Sequence, residues 1–462
     1  MTEIAGLPFW ELTFDADGDP DTAQRDTFLT EVRARGITDL IAFAHGWNNN
    51  RRIAIELYER FFGILAGQLQ HVPADRPTTV GLAGVLWPSQ RWSDEPIPDF
   101  AASAAPGGGA ASLTDREPVD HAAADPTLDP ETLAGLRELF PGAVEPLDQM
   151  ARLLSSPPTD QVQHEFYWHL REFSKLAGAA GDDGEDDPVR PGRDPAEPRM
   201  LVDDPIALFE RYRDTLQGVG IPLDGGAGDG QAGLGDALRG ILNGMKEAFR
   251  QATYWQMKNR AGTVGKNGLG PLIGRVHEVA PELRVHLVGH SFGARLVSYS
   301  LAGLPDNLNP SPVKAVTLLE GAFSHFAFAQ PLPFDASRNG ALAGMLNRID
   351  GPLTACFSTH DSAVGTFYPL ASIAARDDAA RTEDALFRWG GIGADGAQGV
   401  HAKLDPVRPA GPGTTYRFSA RQALNVDASE IVRAGGPPSG AHSDIVHPEL
   451  TWLLLTAGRL VS

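Results

Sequence analysis

The sequence predicts an α/β protein: a doubly wound, mainly parallel sheet interrupted by one large, mostly helical insertion. Three observations lead there. Short, continuous apolar runs alternate with stretches of helical periodicity, the pattern of strands buried on both faces by helices. One such run, Arg284 to Gly289, ends in Gly289-His290-Ser291-Phe292-Gly293 and passes directly into a helical pattern. Between Ser89 and Ala252 the composition changes: 30 of the 59 acids but only 14 of the 39 bases fall there, so this segment supplies −16 of the net charge of −20.

Taken in order, Phe9 to Phe14 alternates apolar and polar residues and reads as an early edge strand, followed by a turn at Asp15-Ala16-Asp17-Gly18-Asp19-Pro20. These acids lack the spacing of a calcium loop and read as a solvated turn. A helix near Thr22 to Arg35 leads into the run Asp39 to Trp47, and after Asn48-Asn49-Asn50 a second helix places Ile53, Leu57, Phe61, Leu65 and Leu69 on one stripe. The strand from Thr79 to Trp87 ends at Pro88, which cannot continue a central ladder.

The insertion, residues 89–252, opens on a tract from Ala101 to Ala111 made only of Ala, Gly, Pro and Ser. It also holds the acidic run Gly181-Asp182-Asp183-Gly184-Glu185-Asp186-Asp187-Pro188. Both suit loops. Helical patterns lie near Pro130–Leu154, Gln161–Leu176, Pro205–Leu216 and Leu234–Ala252, so the segment reads as a cap or an interaction module. The sheet resumes, in residues 253–462, after a helical segment from Tyr254 to Val279 that is loosened by Gly262, Gly265, Gly268 and Gly270. Further strands follow at Val313–Leu319 and Leu353–Phe357, and a last helix runs from about Pro448 to Leu460.

Composition narrows the function classes. An excess of 20 acids works against nucleic acid and anionic membrane as partners. No run of 18 apolar residues marks a spanning helix, and Glu3 stands where a signal peptide carries basic residues, which points to a cytoplasmic protein. The single cysteine, Cys356, excludes an internal disulfide, and its apolar surroundings make it a core thiol. No metal-ligand spacing, Walker A motif or strand-linked GxGxxG occurs, so neither metal nor cofactor is expected.

In a chain with 51 glycines a G-x-S-x-G arises by chance about 0.3 times, so its setting has to carry the argument. A strand-to-helix turn exposes Ser291 above the strand end, and glycine at 289 and 293 suits the tight junction. A serine hydroxyl reacts with a carbonyl only with a base in reach and a third group that orients the base. Asp361, a few residues past the Leu353–Phe357 strand, is the first candidate acid; Glu320, at the end of the preceding strand, is the second. His442, in the small-residue loop Pro437-Pro438-Ser439-Gly440-Ala441-His442, is preferred as base over His447, which abuts Pro448 at the helix start. The loop His45-Gly46-Trp47 follows a buried strand, so the Trp47 amide and the Phe292 amide are the expected oxyanion donors. His45, Gly46, His290, Glu320 and His360 are expected to line the site.

Gly289-His290-Ser291-Phe292-Gly293, His45-Gly46-Trp47, Asp361 and His442, in this order, resemble an α/β-hydrolase of the lipase and esterase type over roughly Leu7–Pro88 and Tyr254–Leu460. The resemblance implies a Ser-His-Asp hydrolase with a helical cap, although here the insertion leaves the sheet after Trp87-Pro88, earlier than in many such proteins. The expected reaction is cleavage of a small-molecule acyl ester, with an apolar wall for the acyl group hinted at by Phe323-Ser324-His325-Phe326-Ala327-Phe328. Thioester or amide cleavage and acyl transfer would use the same residues. A non-catalytic scaffold docking protein partners through the acidic insertion is the alternative from another class.

Overall fold

The computed structural model describes residues 2–73, 78–89, 92, 125–177, 199–201, 203–218, 234–367, 390–400, 405–436 and 439–461. Eight strands form one sheet: β1 (Thr2–Ile4), β2 (Leu7–Thr13), β3 (Asp39–Ala44), β4 (Val80–Leu86), β5 (Arg284–His290), β6 (Val313–Leu319), β7 (Leu353–Phe357) and β8 (Ala423–Asp427). Their spatial order is β1-β2-β4-β3-β5-β6-β7-β8, and every neighbouring pair is parallel except β1 with β2. The winding reverses at β3, which has β4 on one side and β5 on the other. In open parallel sheets this is where a crevice forms beyond the carboxyl ends of the strands.

Every residue of β3, β4 and β7 is buried, because helices cover both faces. Side chains alternate between two cores. From β3, Leu40, Ala42 and Ala44 enter one, while Ile41 and Phe43 enter the other. The second core is closed by α2 (Arg51–Gln68) and by the last helix. The first is closed by α1 (Thr22–Ala34) and by later helices that also carry the insertion: α3 (Pro130–Leu139), α4 (Val144–Leu153), α5 (Asp160–Leu176), α6 (Pro205–Gly218), α7 (Leu234–Thr263), α8 (Gly270–Val279) and α9 (Phe292–Gly303). Among the described residues two further short helices follow, α10 (Ile392–Asp395) and α11 (Pro448–Ala457). Leu136, Leu147, Phe166, Phe209 and Phe249 of the insertion belong to the same apolar cluster as Leu287 and Leu296. The insertion is therefore packed into the sheet's own core.

Several elements differ from the sequence reading. β2 is an interior strand, because the three-residue β1 folds back on it through Ala5 and Gly6, both at positive φ. The helical stretch expected over Pro130–Leu154 is two helices, α3 and α4, interrupted at Phe140-Pro141, where proline cannot donate to the ladder. The boundary placed at Ala252 falls inside the thirty-residue α7. The glycines beyond it are contact points: a Cβ on Gly265 would lie 2.1 Å from the Leu296 carbonyl oxygen, so α9 crosses at backbone distance. β8 was not anticipated. The Ala101–Ala111 tract and the Gly181–Pro188 acidic run lie outside the described residues. Among the described residues no helix is long and apolar enough to cross a membrane.

The Gly265 contact yields a paired prediction. Gly265→Ala lowers unfolding free energy by about 1–3 kcal/mol through overpacking. Gly63→Ala, in α2 with nothing near the added methyl, raises it by about 0.5–1 kcal/mol through helix propensity. Urea titration of both variants measures the two signs.

Candidate active site

At the reversal point β5 ends on His290, α9 begins on Phe292, and Ser291 alone makes the turn with φ 55° and ψ −122°. That conformation is strained for a residue with a side chain, by about 1–3 kcal/mol. Three main-chain hydrogen bonds hold it: the Ser291 N–H donates to Leu319 O (3.1 Å), and the Ser291 carbonyl accepts from Ala294 (3.1 Å) and Ala322 (3.2 Å). The flanking glycines permit the turn. A Cβ at Gly289 would sit 2.3 Å from the Gly293 carbonyl oxygen, and one at Gly293 would sit 2.0 Å from that of Ala44.

The loop after β3 lies against this elbow, since a Cβ at Gly46 would fall 2.6 Å from the Ser291 Cβ. The Gly46 carbonyl is bonded by His45 Nδ1 (2.9 Å), by Asn49 Nδ2–H (3.1 Å) and at longer range by the Ser89 hydroxyl (3.4 Å). A trans peptide is planar, so tying down this carbonyl directs the Trp47 N–H the opposite way. Neither the Trp47 nor the Phe292 main-chain N–H meets an acceptor among the described residues. The second is one of the open donors at the first turn of a twelve-residue helix, where the macrodipole favours negative charge.

Each residue of Asn48-Asn49-Asn50 has a separate task in this loop. Asn48, at φ 63°, accepts the Trp92 N–H (2.5 Å), Asn49 clamps the Gly46 and Trp47 carbonyls, and Asn50 caps α2 through the Ile53 N–H (3.0 Å). The consecutive asparagines were visible in the sequence, but their roles were not read from it. Trp92 is fully buried against Phe249 of α7, and Tyr254 of α7 packs on Trp47 and Phe292 with ring centroids 5.4 and 4.8 Å apart. The insertion thus touches the loop directly.

The structure brings Ser291, His442 and Asp361 into one hydrogen-bonded chain, 2.8 Å from Ser291 Oγ to His442 Nε2 and 2.8 Å from His442 Nδ1 to Asp361 Oδ2. Because the carboxylate only accepts, the ring proton belongs on Nδ1, which leaves the Nε2 lone pair for the serine hydroxyl. Asp361 is buried, and its other oxygen accepts the Val364 N–H (2.9 Å). The loops of acid and base are joined through Asp361 and Gly440 and by the Ala441 N–H to the His360 carbonyl (2.9 Å).

His45 and His290 are buried and held neutral. Burial pulls the His45 ring down to about 4, and burial with the neighbouring His442 pulls His290 down to about 3. His290 Nε2–H donates to the His442 carbonyl (2.8 Å), positioning the main chain of that residue. His45 stacks on Trp87 (5.6 Å). The His360 side chain is exposed, and Glu320 is buried beside Asp361. The ring of His447 is bonded to Asp444 (2.9 Å). Phe323, Phe326 and Phe328 are packed in the interior. Among the described residues no group of three or more His, Cys, Asp or Glu could hold a metal ion. No family model, no curated protein and no solved structure matches the chain.

Two predictions follow from this geometry. Ser291→Gly relieves the strained turn and is more stable than Ser291→Ala by about 1 kcal/mol in denaturant titrations. The second concerns His447: burial opposes its charged form, but the bond and charge of Asp444 outweigh burial and raise its pKa. A raised folded-state pKa means the folded protein binds the proton more tightly, so the contribution is full below about pH 6.5 and fades as pH climbs through the raised value. His447→Gln accordingly destabilises more at about pH 5.5 than at about pH 8.5, as thermal unfolding at the two pH values will read.

Proposed function

We propose that the chain is a serine hydrolase of the α/β-hydrolase type that cleaves a carboxylic ester through an acyl-enzyme. The observation that carries the proposal is the unbroken Asp361–His442–Ser291 chain with both links at 2.8 Å. In the proposed reaction Ser291 Oγ attacks the ester carbonyl carbon while His442 Nε2 takes the hydroxyl proton, and the Asp361 carboxylate stabilises the imidazolium. The Trp47 and Phe292 N–H groups receive the developing oxyanion. His442 then gives its proton to the departing alcohol oxygen. A water, deprotonated by the same ring, attacks the acyl carbon, the bond to Ser291 Oγ breaks as His442 returns that proton to the serine oxygen, and the acid leaves.

His290 and His45 support this reading as neutral positioning residues, the first on the His442 main chain and the second on the Gly46 carbonyl. Neutrality matters because a cation beside His442 would oppose formation of the imidazolium. The substrate is proposed to be a small-molecule acyl ester, and the interior packing of Phe323, Phe326 and Phe328 withdraws the hint of an apolar acyl group. The insertion is read as part of the site, through Trp92 on Asn48 and Tyr254 on Trp47.

A fluorophosphonate probe tests the proposal. Wild type is labelled, Ser291→Ala is not, and with a p-nitrophenyl ester Ser291→Ala and Asp361→Asn lose about 10⁴-fold or more in kcat while keeping the wild-type circular dichroism. A folded wild type that resists the probe would leave the scaffold reading in its place.

A further inference from the structure

β6 ends at Leu319, and Glu320 turns the chain at a φ of 47°. Its main chain is fixed by the N–H bond to the Cys356 carbonyl (3.2 Å) and by Gly393 of α10, where an added Cβ would lie 2.8 Å from the Glu320 Cα. The residue has no exposed surface. Neither of its carboxyl oxygens meets a hydrogen-bond donor among the described residues. The neighbouring Ser358 N–H is directed to the Gly393 carbonyl (3.1 Å). What faces the Glu320 carboxyl is the carboxyl of Asp361.

Asp361 is itself an acceptor on both oxygens, from Val364 N–H and from His442. Two ionised carboxyls in one dry space can only repel, because neither has a proton to donate. A single proton turns the contact into a charge-assisted hydrogen bond. The proton belongs on the member with the weaker donors. Asp361 has two groups that stabilise its ionised form, whereas Glu320 has only the Ser358 N–H beside it, and that donor is already committed to the Gly393 carbonyl.

We propose that Glu320 is a positioning residue: a carboxylic acid that donates its proton in a hydrogen bond to Asp361, so that the buried pair carries one negative charge, held on the member that faces His442. Its meaning for turnover rests on the serine-hydrolase reading. The remaining groups around it agree with one charge. Asp444 approaches from the base loop, and burial pushes the thiol of Cys356 up, so the thiol adds no charge. Burial first, and then the Asp361 charge, raise Glu320 well above the usual carboxyl range. A second negative charge here would hold His442 protonated to higher pH and remove the base from its working range.

The test uses the full chain with Glu320→Gln, which keeps shape and a donor but is never charged, and Glu320→Leu, which keeps neither donor nor charge. Infrared spectra near pH 8, far above the ordinary Glu value of about 4.3, are compared for a protonated-carboxyl C=O band. NMR titration of the His442 ring, assigned against His442→Gln, is read beside the acid limb of kcat/KM. The proposal expects the band in wild type and its loss in Glu320→Gln. It also expects a His442 midpoint within about 0.3 units of wild type for Gln and about 0.5–1 unit higher for Leu, whose Asp361 has lost a donor. No band in wild type, or a midpoint in Gln lower by about 1 unit or more, would mean that Glu320 is ionised and would overturn it. Unmoved midpoints in both variants would reduce Glu320 to packing, which also overturns it. If Leu fails to fold, the two Gln readings decide. A band without probe labelling of Ser291 would sink the hydrolase reading alone, and labelling without a band would sink this inference alone.

Discussion

The whole arrangement depends on backbones approaching more closely than side chains allow. α9 reaches the end of β3 because Gly293 presents no Cβ to the Ala44 carbonyl, and the loop after β3 reaches Ser291 because Gly46 presents none to the serine. With any bulk there, the helix would ride up, the Leu319 carbonyl would lose the Ser291 N–H, and the strained turn would have nothing to hold it. The same approach brings two open main-chain donors, from separate elements, to the serine. Strain at one residue is thus maintained by packing spread over three strands and a helix.

Electrostatics adds a second constraint. Four ionisable side chains, His45, His290, Glu320 and Asp361, are buried in the neighbourhood of His442. Burial keeps the two flanking imidazoles neutral, and each then uses one ring proton to fix a main-chain carbonyl, His45 at Gly46 and His290 at His442. Asp361 is the group provided with donors for a negative charge. A carboxylate compensated by donors, set among fixed neutral dipoles, reorganises little when a proton moves.

The insertion extends this order. Near its start Trp92 is bonded to Asn48, and its last helix sets Tyr254 on Trp47, so a segment that left the sheet after β4 returns to the loop after β3. Its apolar residues join the core shared by α8 and α9.

Much of this was legible in the sequence. Apolar runs located β3, β4, β5, β6 and β7, periodicity located α1 and α2, and the Gly-x-Ser-x-Gly junction marked the turn, because these signals are local and each follows from burial or from the missing Cβ of glycine. Strand β1 was too short to carry a period, and interior β2 was therefore read as an edge. The α7 boundary was misplaced because a change in charge density need not break a helix. Tertiary structure decided matters of distance across the chain. Asp361, and not Glu320, bonds the histidine; His442 reaches the serine while His447 is occupied by Asp444; and three consecutive asparagines bind three different partners. Composition and pattern determine which residues are buried and how each segment curls. Which buried polar groups meet depends on the order and register of the strands, and only the folded sheet sets those.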